Sequence, residues 1–209
     1  MIRGFCAALG VAMMTTPLAA QDRCPTRADL NEGLRLIATR QSVSRLFVAR
    51  DHGLTVWHLD TPDGPATGPG WQQPHALLPG TRASATGPLT IAYAADIDGL
   101  DTLSKGQNWI SDVTYLQDGR VAGIGRVEVV AEGQSPLSPH RLGHCTYKVL
   151  TYRVAVHIDG ATPLFDMLDY APDLGLVLTE TPLDSMGTPH GGIAYDAVAF
   201  GFPRGDIEK

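Results

Sequence analysis

Residues 145–178 read C-T-Y-K-V-L-T-Y-R-V-A-V-H-I-D-G-A-T-P-L-F-D-M-L-D-Y-A-P-D-L-G-L-V-L, and the fold is decided there. Leu150, Tyr152, Val154, Val156 and Ile158 alternate with Thr151, Arg153 and His157. A period of two puts the apolar set on one face of a β-strand. The strand is expected to start at Cys145 and to turn at Asp159-Gly160 into a second one. Pro172-Asp173 predicts a tight corner, after which Leu174, Leu176 and Leu178 resume the alternation in a third strand. One-sided alternation of this kind belongs to antiparallel strands with one face on a core.

The same pattern spreads outward from this stretch. Ser44 to Asp60 reads as a hairpin turning near Gly53, with Leu46 and Val48 on one face and Leu54 and Val56 on one face of the return strand. Further strands are predicted over Pro88 to Asp96, Asn108 to Leu116, Arg120 to Ala131 and Gly192 to Phe202, with a turn at Gln117-Asp118-Gly119. Gly123 and Gly125 mark a bend or a close approach of backbone in their strand. Residues 61–85 and 132–143, rich in Pro, Gly, Ser and Thr, are expected to be loops, the first carrying Trp71 and His75 across the surface. At the N-terminal side, Thr26 with Asp29 three residues later is an acidic form of the capping box. Leu30, Leu34 and Ile37 then recur at helical spacing, so a helix of about ten residues is expected there. The fold class is mainly β: an antiparallel sheet, half-barrel-like, with a short N-terminal helix.

Arg3, the apolar run Phe5 to Met14 and Leu18-Ala19-Ala20 form a secretory signal, with cleavage predicted after Ala20. The expected organisation is a signal peptide over 1–20 and one β-rich domain over 21–209. The apolar run falls short of the roughly 20 residues needed to span a bilayer. The chain is acidic, with a formal net charge of −6, and has no basic cluster, which disfavours nucleic acid and anionic membrane surfaces as partners. With Cys6 inside the signal, Cys24 and Cys145 are left as a pair. An even count in an exported chain favours a disulfide; two thiols or a metal pair are the alternatives, although no Cys-x-x-Cys is present. Closing a loop of this size is worth ~4–5 kcal/mol in the chain-entropy estimate.

Motifs for chemistry are sparse. There is no Gly-x-Ser-x-Gly elbow. Pro189-His190-Gly191-Gly192 is reminiscent of an oxyanion loop but lies between two late strands, where a hairpin loop is the plainer reading. His140 and His144 have chelating spacing only on a helix, and the flanking Pro136, Pro139 and Gly143 disfavour one. Asp96-Ile97-Asp98-Gly99-Leu100-Asp101 lacks the final glutamate of a calcium loop, Gln107 standing at that position. Gly123-Ile124-Gly125 lacks the third glycine of a dinucleotide fingerprint. Asp166, Asp169, Asp173 and Glu180 are too scattered along the sequence to nominate a catalytic pair. No motif implies a cofactor or a metal.

The strand, turn, strand and corner of residues Cys145 to Thr179, ending in Y-A-P-D-L-G-L-V-L, resemble the C-terminal hairpins of uncharacterised exported β-rich proteins of alphaproteobacteria. The corner is also similar, more distantly, to a segment of lipoprotein-carrier-like periplasmic β-clamshell proteins. That resemblance implies a half-barrel around an apolar cavity for a lipid-like ligand; no ligand contact transfers with it.

The resulting expectation is a non-catalytic periplasmic protein that binds an apolar ligand or an envelope partner, with Leu150, Tyr152, Val154, Leu174 and Leu176 lining the cavity. Two alternatives stand beside it. One is a structural protein forming a homo-oligomer through its apolar sheet face. The other is a hydrolase built on His140, His144 or His190.

Overall fold

The computed structural model describes residues 23–39, 45–61, 64–65, 71–84 and 87–201, and within them the alternating segments form sixteen strands. The first half holds β1 (Leu34–Ile37), β2 (Arg45–Asp51), β3 (Leu54–Thr61), β4 (Gly64–Pro65), β5 (Trp71–Gln73), β6 (Thr81–Ser84), β7 (Gly87–Tyr93) and β8 (Asn108–Gln117). The second holds β9 (Arg120–Gln134), β10 (His140–Leu142), β11 (Cys145–Tyr147), β12 (Leu150–Ile158), β13 (Leu164–Ala171), β14 (Leu176–Leu183), β15 (Ile193–Ala194) and β16 (Ala197–Phe200). The expected signal segment, 1–20, lies outside the described residues.

Fourteen strands make one antiparallel sheet in the order β15-β14-β13-β12-β9-β8-β7-β6-β5-β3-β2-β1-β16, with β4 paired to β3 beside this path. The ladder does not close into a barrel. Its two end strands are nevertheless neighbours in the chain. Residues 193–200 pair with β14 through β15 and with β1 through β16. Between them, Tyr195 N–H donates to the Leu178 carbonyl and Asp196 N–H to that of Ile37 (2.9 Å each). The Asp196 carboxylate also accepts from the Thr39 N–H and hydroxyl.

Hairpin turns supply the register. His52-Gly53 and Asp118-Gly119 each put both central residues at positive φ, the twist that matches two antiparallel strands joined by two residues. Cross-strand rows then align the apolar sides: Asp166, Val154, Val129 and Trp109 are successive partners across β13, β12, β9 and β8. Apolar residues form two clusters. Leu34, Leu36, Val48, Leu142, Leu174 and Leu176 belong to one; Leu77, Trp109, Val127, Val129, Tyr152 and Tyr170 to the other.

Four expectations change. The N-terminal helix is a five-residue 3-10 turn, Arg27–Asn31. Its capping box does form, the Asp29 carboxylate accepting from the Thr26 N–H at 2.8 Å. Gly33 then takes φ 91° with the Phe47 ring packed where a side chain would stand, so Leu34 and Ile37 continue as a strand instead of a helix. Residues 61–85 are not one surface loop: β4, β5 and β6 lie within them. Residues 132–143 hold the end of β9 and all of β10. The strand expected from Cys145 is broken after Tyr147, because Cys145–Tyr147 pairs with β10 in a separate ribbon.

Cys24 and Cys145 are joined in a disulfide, with Cα atoms 5.5 Å apart and a sequence separation of 121. It ties the exposed start of the described chain to a buried residue of the small ribbon. No helix among the described residues is long and apolar enough to cross a membrane.

Candidate functional site

The inner face of the sheet is not completely filled. A cavity of about 500 Å³ lies on it, lined by residues from β2, β3, β5, β7, β8, β12, β13, β14 and the segment 76–80. Its wall is mostly aliphatic and aromatic: Leu46, Leu77, Leu89, Ile91, Val154, Val156 and Leu168, with Trp57, Trp71 and Tyr115.

The segment after β5 forms one side of this cavity. Trp57 and Trp71 are direct partners across β3 and β5. Trp57 Nε1 donates to Gln73 Oε1 (2.8 Å), and Gln73 Nε2 donates to the Leu78 carbonyl (3.0 Å). Ala76, Leu77 and Leu78 are thereby held inward and buried.

Beneath that segment sits a polar knot built on Asp101. It receives the Arg27 guanidinium at 2.6 Å, the Tyr170 hydroxyl at 2.5 Å and His75 Nε2 at 3.1 Å. The Leu77 N–H donates to His75 Nδ1 (3.2 Å), which leaves the ring proton on Nε2, directed at Asp101. Hydrogen bonding by His75, then by Tyr170 and Arg27, holds the Asp101 carboxyl well below the usual carboxylate range despite its burial. Among the described residues, all three donors converge on one carboxylate. The arrangement orders the wall.

Gln73 and Tyr195 are among the polar residues that line the cavity, and three others bear on its chemistry. Asp166 and Glu180 line it from β13 and β14. Asp166 pairs with Pro182 and Leu168 with Glu180, so the two carboxylates are diagonal neighbours on one face. Burial raises the pKa of Asp166, opposed by the His190 charge; burial and then the Asp166 charge raise that of Glu180. The third feature is Tyr115, only 9 % exposed, whose hydroxyl is buried without a hydrogen-bond partner among the described residues.

Of the five residues expected to line a cavity, Val154 does. Tyr152 is fully buried in the second cluster, Leu150 packs half-buried against that cluster, and Leu174 and Leu176 lie in the first. The three histidines are held apart by different partners. His140 Nε2 bonds the Tyr195 carbonyl at 2.9 Å, His144 stands beside the disulfide, and His190 is exposed after β14. Among the described residues no hydrogen bond joins any two of them. Cys24, His144 and Cys145 bring their donor atoms within 4.8 Å of one another. The two sulfurs are bonded to each other and so are not available as the thiolates a metal would need.

In sequence, Asp166 and Glu180 stand among four carboxylates too scattered to suggest a pair. A signal for the first was present: Leu164, Asp166, Leu168 and Tyr170 alternate, which puts Asp166 on the apolar face. Glu180 joins it only through the β13–β14 register, which has an irregularity between Asp169 and Tyr170.

No family model matches the chain, and no curated protein does. Among solved structures, the chain is similar to the hypothetical lipoprotein YmcC of Escherichia coli K12. The identity is 10%, with a TM-score of 0.46, over 82% of this chain and 88% of that one.

Proposed function

We propose that this protein is a non-catalytic binding module for an apolar, lipid-like ligand, held on the inner face of a half-barrel sheet outside the cytoplasm. The cavity carries the reading. Its volume of about 500 Å³ falls in the range of small-molecule sites, roughly 300–1,000 Å³, and such sites are mainly apolar with a few placed polar groups. The cavity is partly open to solvent, and its apolar walls forgo dispersion contacts there that an apolar ligand would restore. The disulfide is compatible with an extracytoplasmic location, and the signal-like residues 1–20 supply the route. A periplasmic site follows from that reading of the leader.

The test uses the neutral fluorophore N-phenyl-1-naphthylamine. Saturable, one-to-one binding that dodecanol displaces is expected. Val154→Trp, which fills the cavity from β12, should abolish binding while far-UV circular dichroism and the cooperative melt persist. Absence of saturable binding to the folded wild-type protein, or binding unchanged in a folded Val154→Trp protein, overturns the reading.

A further inference from the structure

The most unusual feature of the cavity is its charge. Among the described residues that line it, two are carboxylates and none is Lys, Arg or His. Asp166 stands between Leu164 and Leu168 on its own strand and opposite Val154 on the next, in a row that is otherwise apolar. Asp166 is half-buried and Glu180 keeps an exposed surface; a carboxylate drawn even partly away from water costs free energy unless an opposite charge or hydrogen-bond donors meet it. Neither Asp166 nor Glu180 receives a hydrogen bond or an ion pair from the described residues; His190 acts on Asp166 only as a nearby charge. The strands also place the two acids side by side, where like charges repel.

We propose that the cavity takes an apolar ligand with a cationic amine head, and that Asp166 and Glu180 together receive the head. The inference rests on the apolar-ligand reading above and narrows it. An ammonium between the half-buried Asp166 and the more exposed Glu180 meets both carboxylates at once, and its N–H groups give charge-assisted hydrogen bonds, which are stronger than neutral ones. An anionic head, such as a carboxylate or a phosphate without an amine, meets two like charges. A neutral head leaves the pair uncompensated.

Two further observations agree. The Tyr115 hydroxyl, buried and without a partner, lines the same cavity. Its oxygen can accept from an N–H or O–H of the ligand, or its proton can be donated. Trp57 and Trp71 contribute aromatic walls, and aromatic faces attract cations more than anions.

Three probes of equal chain length separate the possibilities: dodecylamine, dodecanol and dodecanoate, each kept below its micelle concentration and read by displacement of N-phenyl-1-naphthylamine at pH 7. Dodecylamine should bind at least about tenfold tighter than dodecanol, a difference of roughly 1.4 kcal/mol, and dodecanoate weaker than both. The double variant Asp166→Asn, Glu180→Gln should lower amine affinity to that of the alcohol and leave the alcohol unchanged. Equal affinity for amine and alcohol in the wild-type protein, or an amine preference that survives the double variant, overturns the inference and leaves the apolar-ligand reading standing. If neither the fluorophore nor any of the three binds the folded protein, both fall together. Acidification gives an independent readout: amine binding should weaken as the pair protonates, beginning above the ordinary carboxylate range. His190 acts as a charge on Asp166 and on Asp184, and Tyr195 lies within reach of Glu180, so the pH series is repeated in His190→Gln and the loss should remain. A pH-independent amine affinity overturns the assignment to Asp166 and Glu180.

Discussion

His75 Nε2 lies 3.1 Å from Asp101 Oδ1, 26 residues further along the chain, and this contact fixes one wall of the cavity to the body of the sheet. The carboxylate it meets also holds Arg27 and Tyr170, so segments 74–80, the first turn of the described chain and β13 meet at a single group. Asp101→Asn keeps the size of the side chain and removes its charge. Hydrogen bonds to a charged group contribute about 1.5–3 kcal/mol each, and the substitution weakens three, so a loss of about 3 kcal/mol is expected in urea unfolding. Tyr170→Phe, which removes one donor, should cost about 1–2 kcal/mol. Equal effects of the two substitutions would show that Asp101 is not the hub.

The acid side of the stability profile follows from the same residue and from Asp29. Arg23 and Thr26 hold the Asp29 carboxyl below its ordinary range, as His75, Tyr170 and Arg27 hold Asp101. A carboxyl whose folded pKa is depressed contributes stability that is complete above its unfolded value, near ~3.9, and is lost as pH falls toward the folded one. Asp166 and Glu180 run the other way: their raised values disfavour the folded state at neutral pH and the penalty is relieved on acidification. Melting temperature should therefore hold or rise slightly from pH 7 toward 5 and fall steeply below about 4. In Asp101→Asn the steep fall should be shallower. A wild-type melt that declines steadily from pH 7 downward would contradict this balance.

Reduction of the Cys24–Cys145 bond should be costly. A loop of 121 residues corresponds to about 4–5 kcal/mol of unfolded-state entropy. Cys24→Ser with Cys145→Ser should lower the guanidinium midpoint, and adding reductant to the wild-type protein should reproduce the shift. A double variant as stable as the oxidised protein would mean that the reduced, unfolded chain is already constrained.

Gly125 and Gly123 make a matched pair on β9. A Cβ at Gly125 would lie 2.1 Å from the His157 carbonyl oxygen, whereas at Gly123 its nearest neighbour, a methyl of Ile158, is 3.9 Å away. Gly125→Ala must push β9 from β12 and should destabilise by about 1–3 kcal/mol or more; Gly123→Ala should be near neutral. Urea midpoints of the two variants check this, and similar values would show that the strands separate at no cost.

Much of this fold is written locally. The alternation from Leu150 to Ile158, the paired turn residues at 52–53 and 118–119, and the two cysteines each depend on neighbours in sequence or on a simple count. What stayed hidden depends on partners far along the chain. Leu30, Leu34 and Ile37 fit a helix until Phe47, on another strand, occupies the space over Gly33. Trp71 and His75 sit in a Pro- and Gly-rich stretch and look exposed; Trp57 and Asp101 give them their places. The candidate site was the least legible part. Its two acids are conspicuous only once β13 and β14 are in register and the face they share is seen to be apolar.

The segment 193–200 has a consequence for how the chain is made. It is the hydrogen-bonding partner of β14 at one end of the sheet and of β1 at the other, yet it follows both in sequence. A chain synthesised from its N-terminus, or passed across a membrane in that order, completes β1 through β14 with both outer strands still lacking their last neighbour. Unpaired strand edges recruit other strands, so β1 and β14 remain open to intermolecular pairing until residues 193–200 arrive. A stop before Ile193 would leave that state permanent, so a break after β14 would expose β1 as well.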